Sequence, residues 1–344
     1  MGFGKTNSLG NPESLRHGAK VPFSRRGFIA CVAGVSAAAA LRAQGCSGSG
    51  SSEGSSVQSI KIGTMQTEDS LPFWIAEQEG FFASAGVEVS MVTFQSAQEL
   101  STAFAAGEID AAMTDVQTAS ALEMASVAVE LAWVTLGADP SQGRFGIMTS
   151  PESGYTSLQE LAGVPIGVGS NTVPEYVMDK LMLAAGVAQE DIVGEEIKKL
   201  PVRFESMTSN QVAAAALPGS LLALGEAQGM VLLADDTTGE NISQSVMAVR
   251  ADWLSNGAAV LCGVQSAWDQ AVDAVNSNPE AYRALLVEKA NLPGLIADTY
   301  PVSTYPVAAR PTAQMVQPVL DWMLAKGYLS AEILYDQETG RFEH

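Results

Sequence analysis

The sequence predicts an α/β protein in two lobes, each built on a mostly parallel sheet, with a hinge that the chain crosses twice. Three observations predict it. Apolar runs of strand length alternate with helical runs of about 10–15 residues, the pattern of parallel strands joined by crossover helices. Two turn-rich segments interrupt that alternation. The chain has 344 residues, and one hydrophobic core stops growing at about 250–300.

The elements follow in order. SIKIGTM, residues 59–65, reads as a strand, and residues 71–83 as a helix ending near Gly86. VEVSMVTF (87–94) is a second strand and 97–106 a second helix. Residues 111–114 form a short third strand, 116–127 a third helix, and 131–136 a fourth strand. GADPSQGR (137–144) is the first break. Strands then fit 145–149, 164–168, 195–200, 213–217 and 230–233, with helices over 175–185 and 220–227. DDTTGENIS (235–243) is the second break, followed by a strand over 246–249. The tail reads as helices over 264–275, 279–290 and 312–326. Pro279 suits a first helical turn and Gly327 a helix end. The breaks assign residues 57–138 and 246–344 to one lobe and 143–240 to the other.

The N-terminus reads as a targeting segment. Ser24-Arg25-Arg26-Gly27-Phe28-Ile29 opens an apolar run over 27–41, GFIACVAGVSAAAAL. That run is shorter than the roughly 20 residues a membrane span needs and has no polar face. The twin-arginine pattern resembles a Tat export signal. Ala43-Gln44-Gly45-Cys46, then SGSGSSEGSS (47–56), resembles a bacterial lipoprotein cleavage site with its tether, although Ala43 stands where Leu is usual. Acylation of Cys46 and ordinary cleavage nearby both remain open. A Ser/Gly tether favours acylation, because an anchored domain needs reach. Residues 1–45 are the signal and 46–56 the linker, which places the protein outside the cell, anchored to the membrane.

The net charge is −20. An acidic chain excludes nonspecific nucleic-acid binding, which needs a basic surface. The chain has two histidines, His17 and His344, and three cysteines, of which Cys262 in AAVLCGV reads as a core filler. No Ser-His-Asp set, metal cluster, dinucleotide loop or P-loop is present. No cofactor or metal is expected, and no catalytic residues.

Three stretches carry a family resemblance. The first runs from IKIGTM through AEQEGFF and GVEV to AAGEIDAAMTD. The second is LQELAGVPIGVGSNTVPEYVMDKLMLAAGV, and the third ALPGSLLALGEAQGMVLLADD. In this order and spacing they resemble ABC-transporter substrate-binding proteins of the nitrate/sulfonate/taurine type, a group that includes binders of thiamine-precursor pyrimidines. The resemblance implies a type II-like periplasmic-binding fold that closes on a small molecule at its hinge. It implies delivery to an ABC permease and ATPase, from a monomer. A sensory protein feeding a signalling partner is the alternative function, and an enzyme on this fold a remoter one.

In parallel α/β sheets ligands sit beyond the C-terminal strand ends. The candidate loops are therefore 64–70, 95–96, 114–117, 170–176 and 218–220. Their binding candidates are Gln66, Ser96, Asp115, Gln117, Asn171, Thr172, Glu175, Tyr176, Pro218 and Ser220, with Phe73 and Trp74 after Pro72 as stacking walls, Trp74 reading equally as packed core. Ser96…Glu99, Thr114…Gln117 and Thr172…Glu175 each match a capping box. A helix start facing a cleft offers free N–H groups and partial positive charge. Asp115 reads either as a helix cap or as a cleft carboxylate. No Lys or Arg occurs between Lys61 and Arg144. The first lobe's loops thus lack fixed positive charge, which favours a neutral or amine-bearing heterocycle over a sulfonate or nitrate. Arg203 is the anion-binding candidate should the ligand be an anion, or else a partner of Glu205 or a brace for the hinge.

Overall fold

The computed structural model describes residues 59–238 and 242–344. The export signal, Cys46 and the Ser/Gly linker lie outside the described residues. Twelve strands and ten α-helices are described. The first run is β1 (Ser59–Met65), α1 (Leu71–Gln78), α2 (Phe81–Ser84), β2 (Glu88–Phe94), α3 (Ala97–Ala105), β3 (Ala111–Asp115), α4 (Val116–Met124) and β4 (Val129–Leu136). The second is β5 (Phe145–Thr149), β6 (Pro165–Val168), α5 (Val173–Ala184), β7 (Val193–Glu196), α6 (Leu200–Thr208), β8 (Ala214–Pro218), α7 (Gly219–Ala227) and β9 (Val231–Asp235). The chain then returns as β10 (Ser245–Arg250), α8 (Ala251–Ser277), α9 (Arg283–Lys289), α10 (Ala313–Ala325), β11 (Leu334–Asp336) and β12 (Arg341–Glu343).

The strands form two sheets. One has seven strands in the order β11-β12-β4-β10-β3-β1-β2, and the other five, β7-β6-β8-β5-β9. The two turn-rich breaks are the segments that pass between them. The inner pairs β1–β2, β1–β3, β6–β7 and β6–β8 are parallel. Each sheet also takes strands that a mostly parallel reading does not anticipate. β10 runs antiparallel between β3 and β4, and β5 antiparallel between β8 and β9. Both flank the breaks, where the chain enters or leaves a sheet and reverses. Burial explains why the central strands read as apolar runs: β3 and β8 are buried along their whole length.

Local differences from the sequence reading have physical causes. The helix expected over 71–83 is two helices, broken at Gly80. The strand expected over 195–200 ends at Glu196, and α6 starts at Leu200, with Pro201 in its first turn. α8 runs 27 residues rather than 264–275 alone. Its buried stripe, Val260, Val264, Ala267, Trp268, Ala271 and Val275, keeps helical spacing. Gly257 within it admits the Trp253 ring, which a Cβ would meet at 2.5 Å. The C-terminal hairpin β11–β12 was too short to read; Tyr335 and Phe342 pair across it with ring centroids 6.0 Å apart. Cys262, expected as a core filler, is half-buried rather than fully buried.

The two breaks touch. Gly137 has φ of 81°, and a Cβ there would lie 2.1 Å from the Ser243 carbonyl oxygen of the other break. Only glycine holds that conformation without cost. Gly137→Ala is expected to destabilise the protein by about 1–3 kcal/mol, read as a lower urea midpoint at unchanged slope.

Candidate functional site

A cleft of about 420 Å³ opens where the two sheets face each other. Its lining comes from strand exits of both. From the seven-stranded side come the turn after β1 (Thr67, Glu68, Asp69), the start of α3 (Ser96, Gln98) and the β3–α4 junction (Thr114, Asp115, Thr118). From the five-stranded side come 169–174 before and within α5, Glu196 and Lys198 after β7, Arg203 on α6, and Pro218 ending β8. Arg144 and Ser243 of the breaks complete it.

Asp115 closes β3 and caps α4. Its Oδ1 accepts from the Thr118 amide at 2.7 Å, and its Oδ2 from the Val173 amide at 3.2 Å. Val173 is the first residue of α5, on the other sheet. One carboxylate therefore sits at two helix starts, where partial positive charge favours it. Two neighbours hold the same turn: the Ser170 amide donates to Glu196 at 2.9 Å and the Asn171 amide to Glu175 at 2.6 Å. Asn171 itself has φ of 58°, a left-handed conformation Asn tolerates.

The capping boxes are made unevenly. Ser96 accepts from the Glu99 amide at 3.2 Å, as the motif requires. In the second, Asp115 rather than Thr114 is the cap. In the third, the Thr172 hydroxyl donates back to the Gly169 carbonyl instead.

Ser96, Asp115, Asn171, Thr172 and Pro218 line the cleft together. The other candidates lie elsewhere. Phe73 is core, 4.9 Å by ring centroid from Trp268, and Trp74 packs in the same cluster. Gln66 is exposed and donates to the Lys289 carbonyl. Gln117 is buried outside the lining. Ser220 lies one residue past the α7 start, at the edge of Glu68. Glu175 and Tyr176 face α10: the Tyr328 hydroxyl donates to Glu175 at 2.8 Å, and Tyr176 meets Trp322 edge-on at 5.2 Å.

Two charged residues that sequence reasoning passed over, Glu68 and Asp69, line the cleft. Glu68 is 5% exposed, and its Oε1 accepts from the Tyr300 hydroxyl at 2.8 Å. Asp69 accepts from the Thr67 hydroxyl. Neither pairs with a Lys or Arg among the described residues. Loop 64–70 was a candidate, but nothing in EDS distinguishes a cleft pair from an ordinary acidic helix start. Arg203 is 2% exposed; its Nε donates to the Ile197 carbonyl at 2.9 Å and its Nη1 to the Ala216 carbonyl at 3.1 Å. Burial pulls its pKa down to about 10, with Glu196 working weakly against the fall.

Burial pushes the carboxyls of Glu68, Asp69 and Asp115 above their ordinary values, and the Asp69 charge adds to the rise at Glu68. A raised folded-state value means that these groups cost stability as pH climbs from about 4 toward that value. Glu68→Gln is expected to raise the melting temperature of the ligand-free protein at pH 7, with the gain vanishing near pH 4. One kcal/mol corresponds to roughly 2–4 °C in a chain of this size class. Asp115→Ala, which removes a cap from two helices, should cost about 1–2 kcal/mol in urea melts, with Asp115→Asn recovering most of it.

A family model described as NMT1-like matches residues 53–143. No curated protein matches the sequence. Solved structures do. The alkanesulfonate-binding protein SsuA of Xanthomonas axonopodis pv. citri, bound to MOPS, superposes at a TM-score of 0.68 and 16% identity, over 82% of this chain and 97% of that one. The periplasmic nitrate-binding protein NrtA of Synechocystis PCC 6803 gives 0.65 at 15% identity, covering 80% and 83%. A Candida albicans gene product with the generic periplasmic binding protein fold gives 0.63 at 16%, covering 79% and 91%. The fold is the periplasmic-binding-protein fold, and the resemblance seen in the sequence to the sulfonate- and nitrate-binding group is borne out.

Proposed function

We propose that the protein is an exported, lipid-anchored solute-binding protein that captures a small molecule and delivers it to an ABC importer. Residues 57–138 with 246–344 act as one lobe and 143–240 as the other. The observation that carries the reading is the cleft, because C-terminal strand ends of both sheets open onto it. A ligand touching both sides favours the closed arrangement by its differential contacts. The permease then reads the closed shape. The likeness to sulfonate- and nitrate-binding proteins supports capture rather than turnover.

The twin-arginine signal and Ala-Gln-Gly-Cys support export and acylation of Cys46, leaving the protein on the extracytoplasmic face as a monomer. Glu68 and Asp69, which lack a basic partner among the described residues, support an amine-bearing ligand, including a heterocycle. Arg203 supports the alternative, a sulfonate or nitrate.

Ligand should raise the melting temperature by mass action, equivalent to about 2.7 kcal/mol at a hundredfold over Kd. A thermal-shift panel of sulfonates, nitrate, thiamine-precursor pyrimidines and aromatic amines tests this, and silence across the whole panel would count against capture in the cleft. Cys46→Ser should move the protein from the membrane fraction to the soluble one. Retention of the variant on membranes would sink the lipid anchor.

A further inference from the structure

With the cleft read as the ligand site, the contacts around its rim decide where it opens. The chain itself joins the two halves at the breaks. The α7 start packs into the same corner, where a Cβ on Gly219 would lie 3.4 Å from the Arg144 Cβ and 3.1 Å from the Glu68 carboxylate.

A second join lies at α5. Tyr176 is 2% exposed and belongs to an apolar cluster whose other buried members all come from the seven-stranded side. Its ring meets Trp322 of α10 edge-on. Beside it, Asp179 accepts from the Trp322 indole and pairs with Lys326, while Glu175 accepts from Tyr328 and pairs with the same lysine. The two carboxylate side chains are 0% and 5% exposed. Asp115 adds its bond to the α5 start. Parting these elements would expose a buried ring and strand buried charges, and both are costly.

The contacts at the mouth are of another kind. Lys198 and Lys199, between β7 and α6, reach Gln98 and Glu99 of α3 across the cleft. The Lys199 and Glu99 side chains are 49% and 44% exposed. Exposed pairs contribute little, and salt screens them. Lys198 also lies 3.9 Å from Glu196 of its own half, which leaves it a partner when the mouth parts.

Two bodies joined at one place can swing apart in many directions. Joined at two, they turn only about the line through both. We infer that the cleft opens along its α3–α6 edge alone, by rotation about a line through the breaks and the α5–α10 interface, and that Lys198 and Lys199 form the clasp that releases when ligand enters or leaves.

Distances between spin labels in the ligand-free protein test it. One label pair spans the mouth, at Thr102 on α3 and Glu205 on α6. The other spans the pivot, at Leu183 on α5 and Leu324 on α10. All four positions are exposed. Ketone-bearing residues carry the labels, so the native cysteines are untouched. Raising salt from about 0.01 M to about 1 M cuts the screening length from roughly 30 Å to roughly 3 Å. The expected result is a longer mouth distance that gains population in high salt while the pivot distance stays fixed. Lys198→Met with Lys199→Met should give the same longer distance in low salt. Lys326→Met should spread the pivot pair. Tyr328→Phe, which deletes one hydroxyl, should do so more weakly and serves if Lys326→Met unfolds. Both pairs spreading together in salt, or the pivot pair alone, would overturn one-sided opening. A mouth pair unmoved by salt and by the lysine double variant would overturn the clasp, and a pivot pair unmoved in both pivot variants would overturn the α5–α10 join. No ligand enters these measurements, so any of these failures leaves solute capture to be judged by the thermal-shift panel.

Discussion

The Asp115 carboxylate is the contact on which the architecture of the cleft turns. It ends a fully buried strand of one sheet, caps the helix that follows, and accepts from the first residue of a helix on the other sheet. Helix starts leave amides without intrahelical partners, and a buried amide must find an acceptor. One side chain meets that need in both halves of the molecule at once. The relative position of β3 and α5 is thereby tied to a single carboxylate rather than to apolar packing alone.

A second tie lies behind it. Lys326, just past α10, reaches Asp179 at 2.9 Å and Glu175 at 3.2 Å on α5. The Trp322 indole N–H donates to Asp179 at 2.8 Å, and the Tyr328 hydroxyl to Glu175. Burial works against the Lys326 charge, but the two carboxylates outweigh it and its pKa is raised. Buried pairs add little net stability against an apolar alternative, yet losing one partner costs about 3–5 kcal/mol. Such a network specifies one arrangement of the two halves more than it stabilises it. At the cleft edge the matching contacts are exposed: Lys198 donates to Gln98, and Lys199 lies 3.3 Å from Glu99. Contacts of that kind contribute little, so the link from the α6 start to α3 is weaker than the tie at α5.

Charge and burial pull against each other in this cleft. Glu68, Asp69 and Arg203 are kept charged or chargeable in a site that penalises charge. Tyr300 and Tyr305 hold the Glu68 turn from α9's flank, through the carboxyl and the backbone carbonyl respectively. Side chains 232 and 237 positions away in sequence thus fix groups that line the cleft.

The sequence by itself determined the α/β class, the order of most strands and helices, the two breaks and the loops that line the cleft. It could do so because burial on both faces leaves continuous apolar runs, and helix starts carry local capping chemistry. Ser96, Asp115, Asn171, Thr172 and Pro218 were legible for that reason. Tertiary structure alone decided the rest. The antiparallel strands β5 and β10 depend on which edge the chain meets after crossing. Phe73 and Trp74 went to the core because α8 lies across them, and Glu175 and Tyr176 turned toward α10. Glu68 and Asp69 look ordinary in sequence, and Arg203 stood out only as a conditional anion candidate. A charge becomes informative only when distant elements bury it and withhold its partner.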